Sequence, residues 1–332
     1  MGSLDRHRHR LSVAPMMDWT DRHCRVFLRA ISRHVLLYSE MVPVDGLLRG
    51  GCSRQIAWEE ADGPTVAQLG GSDPVRLAEA ARIIADAGFL EVNLNAGCPS
   101  RRVRQAGIGA CLMNTPDQVA RAVEAMKQAV AIPVTVKHRL GTGRTFSASH
   151  LDQFVSTIAD AGCDGFIVHA RLAELGSLTP KQNRSVPPLR HDLVHQLKAR
   201  FPHLHIELNG GIESLAEARM HLEQVDGVMI GRAVYRNPFL LATADQEIFE
   251  DSSRPVPTRV EVLEQLVDHA ESLTRTGEPI WRLVRHLGGL LHGTPGARRW
   301  RRFLSEHPQR MAPETTVLKE GLQLMKELER CK

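Results

Sequence analysis

The chain has 332 residues, 42% apolar and 24% charged, with a net charge of +4. That is enough for one large domain with a smaller one, or a decorated barrel, and the composition is that of a globular protein rather than a disordered or fibrous one. No apolar run reaches the roughly 18–20 residues of a membrane helix, and no Cys-x-x-Cys pair occurs among Cys24, Cys52, Cys98, Cys111, Cys163 and Cys331, so a membrane span, a zinc site and a disulfide framework are not expected.

Met1 to Arg10 reads MGSLDRHRHR, polar and basic, without the apolar centre of a secretory leader. A cytoplasmic, reducing location is expected. From there short β runs alternate with helical runs. The predicted strands are Ser12-Ala14, Leu36-Ser39, Val66-Leu69, Val92-Leu94, Val134-Lys137, Phe166-His169, Ile206-Asn209 and Gly227-Ile230. Between them, Leu77, Ala80, Ala81, Ile84 and Ala87 recur at helical spacing, as do Val119, Ala122, Val123 and Met126. Ala87-Gly88 and Ala161-Gly162 mark helix ends. Eight strands with helical crossovers predict an α/β protein built on a closed (β/α)8 TIM barrel. An open doubly wound sheet is the alternative, weakened because no G-x-G-x-x-G follows the first strand.

Ser252 to Pro257 reads as a linker. Beyond it, Val260, Leu263, Leu266, Val267, Ala270 and Leu273 form one apolar stripe and Val317, Leu318, Leu322, Met325 and Leu328 another. This divides the chain into a barrel over residues 1–255 and a small all-helical domain over 256–332. The helical part holds 13 Lys and Arg against 10 Asp and Glu, so most of the net positive charge lies there, which favours an anionic partner.

In such a barrel the residues just after each strand share one rim, where chemistry is done. They are Pro15-Met16-Met17-Asp18, Glu40, Gln68, Asn95 and Cys98, Lys137 and Arg139, His169 and Arg171, Asn209-Gly210-Gly211, and Gly231-Arg232. The last two sets occupy the usual phosphate position, where glycines admit backbone N–H groups to an anion. The same glycines also suit ordinary tight turns. Gln68, Lys137 and His169 are polar ends of apolar strands. A flavin ring takes such groups, and a satisfied rim histidine is the plainer reading of His169 alone. Cys98 is either a reactive thiol on a Gly/Pro turn or a small buried residue, the latter being the reading for Cys163; Cys111 stays open.

The segments Ala14-Pro15-Met16-Met17-Asp18-Trp19-Thr20-Asp21, Asn93-Leu94-Asn95-Ala96-Gly97-Cys98-Pro99, Val134-Thr135-Val136-Lys137, Val168-His169-Ala170-Arg171, Asn209-Gly210-Gly211-Ile212 and Gly231-Arg232 follow one another in the order of a known family. Together they resemble the tRNA-dihydrouridine synthases. Asp18 to Cys24 and the Lys181-to-Arg190 loop are similar to the bacterial A-type subfamily, which acts on D-loop uridines 20 and 20a. The Pro295-to-Arg302 run continues the resemblance. It implies FMN held by Pro15, Met16 and Met17, by Gln68, Lys137 and His169 at the ring, and by Asn209, Gly210, Gly211, Gly231 and Arg232 at the phosphate. It implies NADPH or NADH as reductant, hydride reaching uridine C6 from reduced FMN, and a proton reaching C5 from Cys98. An ordinary thiol titrates near ~8.5, so it is protonated and able to donate at neutral pH. Asn95 would lie beside the flipped-out base. Arg139, Arg171, Lys181, Arg184, Arg298 and Arg301 would contact tRNA, with the helical domain as platform and no metal or obligate protein partner.

The chain departs from the family pattern at His138, where a small polar residue is usual, and at Glu207, expected to point outward between helices. Two other readings compete. A flavin barrel acting on a small pyrimidine has no use for the basic helical part. An RNA-binding module without flavin has no use for Gln68, Cys98, Lys137 and His169 together.

Overall fold

Eight short, almost wholly buried segments pair in sequence order into a closed parallel barrel. They are β1 (Leu11–Val13), β2 (Leu36–Pro43), β3 (Thr65–Gly70), β4 (Glu91–Ala96), β5 (Val134–Arg139), β6 (Gly165–His169), β7 (Ile206–Asn209) and β8 (Gly227–Ile230). Ser12 registers with Leu36 on one side and with Met229 on the other, which closes the ring. The computed structural model describes residues 4–52, 55–57, 62–176, 178–306 and 315–330; Cys331 lies outside them.

Helices return the chain between strands: α1 (Arg22–Ile31), α2 (Pro74–Asp86), α3 (Pro116–Ala129), α4 (Ala148–Asp160), α5 (His191–Arg200), α6 (Leu215–Leu222) and, after β8, the short α7 (Arg232–Arg236). Local chemistry sets their ends. Asp21 caps α1 by accepting from Cys24 N, and Asp73 caps α2 by accepting from Arg76 N with Pro74 in the first turn. Gly88 and Gly162, at φ 95° and 87°, leave α2 and α4 through the left-handed region that glycine enters without steric cost. The predicted helical stripes, Leu77, Ala80, Ala81 and Ile84 on α2 and Val119, Ala122, Val123 and Met126 on α3, are the buried ones.

Side chains alternate across each strand. Leu11, Val13, Leu37, Ala67, Val92, Val136, Val168, Leu208 and Val228 pack outward against the helices in the main core. Ala14, Leu36, Tyr38, Val66, Ile167 and Met229 form a separate cluster inside the barrel. The second parity decides which polar residues meet along the axis. Glu207 belongs to it. Contrary to expectation it points into the barrel, fully buried, accepting from Ser12 Oγ at 3.2 Å with His9 Nδ1 at 2.5 Å. His138 has the outward parity and stacks obliquely on Phe154 and edge-on to Phe166, at 5.0 and 5.9 Å, which gives the unusual residue a packing role.

After β8 the described residues are mostly helix and turn; residues 252–257 form neither helix nor strand and are tied back by Arg33 to Ser253 Oγ at 2.8 Å. The further helices are α8 (Arg259–Arg275), with a Thr258–Glu261 capping box, α9 (Ala297–Glu306) and α10 (Thr316–Arg330). Leu263, Leu266, Ala270, Trp300, Leu318 and Met325 join the same core that covers the barrel. No helix among the described residues is long and apolar enough to cross a membrane.

A candidate active site at the barrel rim

Inward parity brings Gln68, Asn95, Lys137, Arg139, His169 and Asn209 to one end of the barrel. Register fixes their neighbours: Asn95 stands beside Lys137, Arg139 beside His169, and His169 beside Asn209. Cys98 follows on a turn pinned from both sides. Asn95 Oδ1 accepts from Gly97 N at 3.1 Å and Cys98 N at 2.9 Å, while Cys98 O accepts from Ala110 N at 2.9 Å. Gly109, at φ 76°, lets the chain pass over this carbonyl; a Cβ there would come within 2.6 Å of Cys98 O. The thiol is partly exposed and packs beside Met41, Val103 and Ile108.

A directed chain of hydrogen bonds runs from this turn down the barrel. Asn95 Nδ2 donates to Gln68 Oε1 (2.8 Å), Gln68 Nε2 to Asn93 Oδ1 (2.7 Å), Asn93 Nδ2 to Thr135 Oγ1 (2.8 Å), and Thr135 Oγ1 to Glu91 Oε1. Glu91 Oε2 lies 2.8 Å from His9 Nε2. An ionised carboxylate only accepts, so it orients every donor above it, and the amide oxygen of Asn95 is left facing the Cys98 turn.

The opposite side of the rim is cationic. Lys137 Nζ donates to Asn209 Oδ1 at 3.0 Å. Burial, with Arg139 nearby, brings the Lys137 ammonium down to about 7. Burial and the cations Arg139, Lys137, Arg171 and Arg232 hold His169 well below the usual histidine range, so the ring is neutral, and its buried Nδ1 has no hydrogen-bond partner among the described residues. Gly210 and Gly211 turn through φ 115° and 81° beside it; a Cβ on Gly210 would sit 3.2 Å from His169 Nε2. Gly231 and the exposed Arg232 lie at the start of α7. Pro15 and Met16 are partly buried and Met17 exposed on the β1 loop, where Met16 N donates to Thr20 Oγ1 at 2.9 Å.

A Dihydrouridine synthase (Dus) family profile matches residues 12–326. A Pseudomonas putida protein named tRNA-dihydrouridine(20/20a) synthase is 49% identical over 95% of this chain and 94% of its own length. A Synechocystis protein of the same name is 48% identical over 95% and 94%, and one from Escherichia coli K12 46% identical over 95% and 91%. This chain belongs to the dihydrouridine synthase family. It is an enzyme by that membership, and the polar rim is its candidate active site.

FMN fits this rim on the chain's own features. An orphaned buried nitrogen on His169, a buried amine at the edge of deprotonation, an uncompensated set of cations and two left-handed glycines suit a polar, anionic ring-and-phosphate ligand.

Several predicted residues have other engagements. Arg139 is buried and donates to three loop carbonyls, Gly97 O at 3.0 Å, Leu172 O at 2.9 Å and Asn183 O at 3.0 Å. It braces the loops after β4 and β6 and does not present its guanidinium to RNA as expected. Asn95 likewise spends its oxygen on the Cys98 turn, with its amide nitrogen tied to Gln68. Arg171 donates to Pro187 O. Arg232 donates to Arg184 O at 3.2 Å, which links the β8 loop to the β6 loop. Lys181 and Arg184 are exposed on that β6 loop, and Arg298 and Arg301 are exposed on α9.

Sequence reading missed three features here. Asn93 and Thr135 carry the hydrogen-bond chain; Asn93 is two residues from Asn95, so strand parity was the available signal. Asp18, at φ 64°, has its amide on the Glu40 carboxylate and its carbonyl on Arg285. Trp19 stacks on Tyr235 at 4.3 Å, Tyr235 OH meets His286 Nδ1 at 3.1 Å, and His286 Nε2 lies 2.9 Å from Asp21 Oδ1. These contacts fasten the helical region to the β1 loop.

Proposed function

We propose that this chain is a tRNA-dihydrouridine(20/20a) synthase that reduces the C5=C6 bond of D-loop uridines 20 and 20a, with FMN as its cofactor and NADPH or NADH as reductant. The observation that carries the reading is the pinned turn that puts Cys98 at the barrel rim, within electrostatic reach of Lys137 and Arg139. The names of the relatives supply the positions on tRNA. FMN, when bound, supplies the hydride for C6.

The chain's residues do the rest. Pro15, Met16 and Met17 border the cofactor from the β1 loop; Gln68, Lys137 and His169 meet its ring; Asn209, Gly210, Gly211, Gly231 and Arg232 receive its phosphate. Cys98 holds a proton at Sγ for uracil C5. Lys137 and Arg139 are near enough to respond to charge on that sulfur, so they support the thiolate left behind. Residues 1–255 are the catalytic part. Residues 256–332 form the tRNA platform through Arg298 and Arg301, assisted by Arg171, Lys181 and Arg184 on the rim, and the enzyme works on tRNA in the cytoplasm.

Dihydrouridine mapping in tRNA from a strain lacking the gene, with and without the gene restored, tests this directly. Loss and recovery at positions 20 and 20a are expected. Intact modification at both positions in the deletion strain overturns the assignment, and a purified protein that carries no flavin overturns the cofactor.

A further inference from the structure

Two helices outside the rim place an imidazole-rich cluster against one another. His191 and His195 stand four apart on α5, and Glu217 and His221 four apart on α6, so each pair shares one helix face. The donor atoms of His191, Glu217 and His221 all lie within 4.8 Å of one another, and His195 Nε2 is 3.2 Å from His221 Nδ1. The rings of His191 and His221 meet edge-on at 4.6 Å. All four residues are partly buried.

We propose that His191, Glu217 and His221, with His195 as the fourth ligand, form a transition-metal site that takes Zn2+. Three imidazoles and a carboxylate are borderline donors that suit this ion and can complete a tetrahedron. Ligand atoms on ~2.0–2.1 Å bonds stand roughly 3.3 Å apart, so His191, Glu217 and His221 close by side-chain movements of about 1 Å, and His195, which lies outside that group of three, joins through its contact with His221. Outer contacts are already set. Gly210 O lies 2.7 Å from His191 Nε2 and only accepts, so that nitrogen carries the proton and Nδ1 keeps the lone pair a metal needs. Glu217 Oε2 accepts from Glu213 N at 2.8 Å, which leaves Oε1 for the ion.

The other histidine–carboxylate group, His9, His205 and Glu207, does not compete. Both nitrogens of His9 already face carboxylates, at 2.8 Å on Glu91 and 2.5 Å on Glu207. Metal at the α5–α6 site would clamp the two helices together and, through His191, hold the carbonyl of Gly210. The site itself does not depend on what the rim binds.

Tag-free protein carrying whatever cofactor it retains should be titrated with Zn2+ alone, and with Co2+, whose visible bands report tetrahedral coordination to the red of flavin absorbance. One Zn2+ per chain, a raised Tm and tetrahedral Co2+ bands are expected. His195→Ala with His221→Ala should weaken binding by more than the ~10–100-fold typical of losing an outer contact. Glu217→Gln, which keeps the carbonyl of the side chain for the helix cap, should weaken it while leaving the metal-free Tm unchanged. The absence of stoichiometric Zn2+, or binding untouched in the double variant, overturns the proposal.

Discussion

The barrel encloses two polar layers, and they are built on opposite principles. At the floor, His9 sits between Glu91 and Glu207, a cation held by two carboxylates. Burial would discharge His9, but the two carboxylates overcome it and raise the group to about 10; burial would likewise raise Glu207, but His9 and the hydrogen bond from His205 bring it down to about 2. At the rim, burial together with the cations Arg139, Lys137, Arg171 and Arg232 pushes His169 toward neutrality. A buried layer with paired charges is complete in itself, whereas one with unpaired cations is completed by a ligand. The chain of hydrogen bonds from Glu91 to Asn95 joins the two, so the floor also sets the polarity of the turn that holds Cys98.

This contrast makes separable claims. Rim substitutions should cost activity and spare stability; floor substitutions should do the reverse. The largest effect belongs to Cys98→Ala, which should lower dihydrouridine formation on tRNA by about 10²–10⁴-fold, the range of a lost general acid, with flavin content and Tm unchanged. Single-turnover assays decide it, and normal turnover would remove Cys98 from the mechanism.

Next in size is Glu207→Gln. The substitution removes one of two carboxylates on His9 but leaves Glu91 paired with it, so it should destabilise the fold by less than the about 3–5 kcal/mol of a buried ion pair broken outright. The pH dependence has two limbs. His9 is raised from 6.5 to about 10, so its stabilisation is full below 6.5 and fades as pH rises toward 10. Glu207 is lowered from 4.5 to about 2, so its stabilisation is full above 4.5 and fades as pH falls toward 2. The pair is therefore most stabilising between about 4.5 and 6.5. Denaturant unfolding across pH should show both limbs in the native chain and lose the Glu207 limb in the variant. Thr135→Val cuts the chain between the layers; we expect it to lower activity about tenfold through misoriented Asn95, with a much smaller change in Tm.

Lys137 sharpens the rim half of the comparison. With its free amine at about 7, an anionic ligand that needs the ammonium must draw a proton as pH rises. Flavin should therefore bind progressively more weakly above pH 7, and Lys137→Met should bind it more weakly throughout and without that dependence. Isothermal titration at three pH values checks this; an unchanged pH profile in the variant would place the cation elsewhere.

The rim was legible in the sequence because Gln68, Asn95, Lys137, His169 and Asn209 are polar residues at or near the ends of buried strands, and period two sends them inward together. The floor was not. Parallel barrel strands are apolar on both faces, so Ile206-Glu207-Leu208 does not say which face Glu207 takes. Its partner His9 lies just before β1, in the 3-10 turn Arg8–Arg10, far away in sequence. Arg139 was misread for a similar reason. Its position on the rim follows from β5, but the carbonyls that occupy it come from the loops after β4 and β6, and no local pattern links them. The i, i+4 spacing of His191/His195 and Glu217/His221 was visible, yet their meeting depends on how α5 packs beside α6.

The smallest expected effect concerns the helical region, where the comparison is between arginines already engaged and arginines left open. On α9, Arg302 pairs with Glu306 at 2.8 Å and Arg299 lies 3.5 Å from Glu327. Arg298 and Arg301 have no ion-pair partner among the described residues, and they stand one turn apart, both exposed. Open cations on one face release counterions when they meet phosphate, and the number released appears as a slope of binding against salt. Arg298→Ala with Arg301→Ala should weaken tRNA binding, flatten that slope by about 1–2 units and leave Tm and flavin content unchanged. Arg299→Ala with Arg302→Ala is the matched control and should move the slope less, because those guanidiniums must first leave their carboxylates. Equal slopes for the two double variants would mean that this helix does not read tRNA through its unpaired arginines.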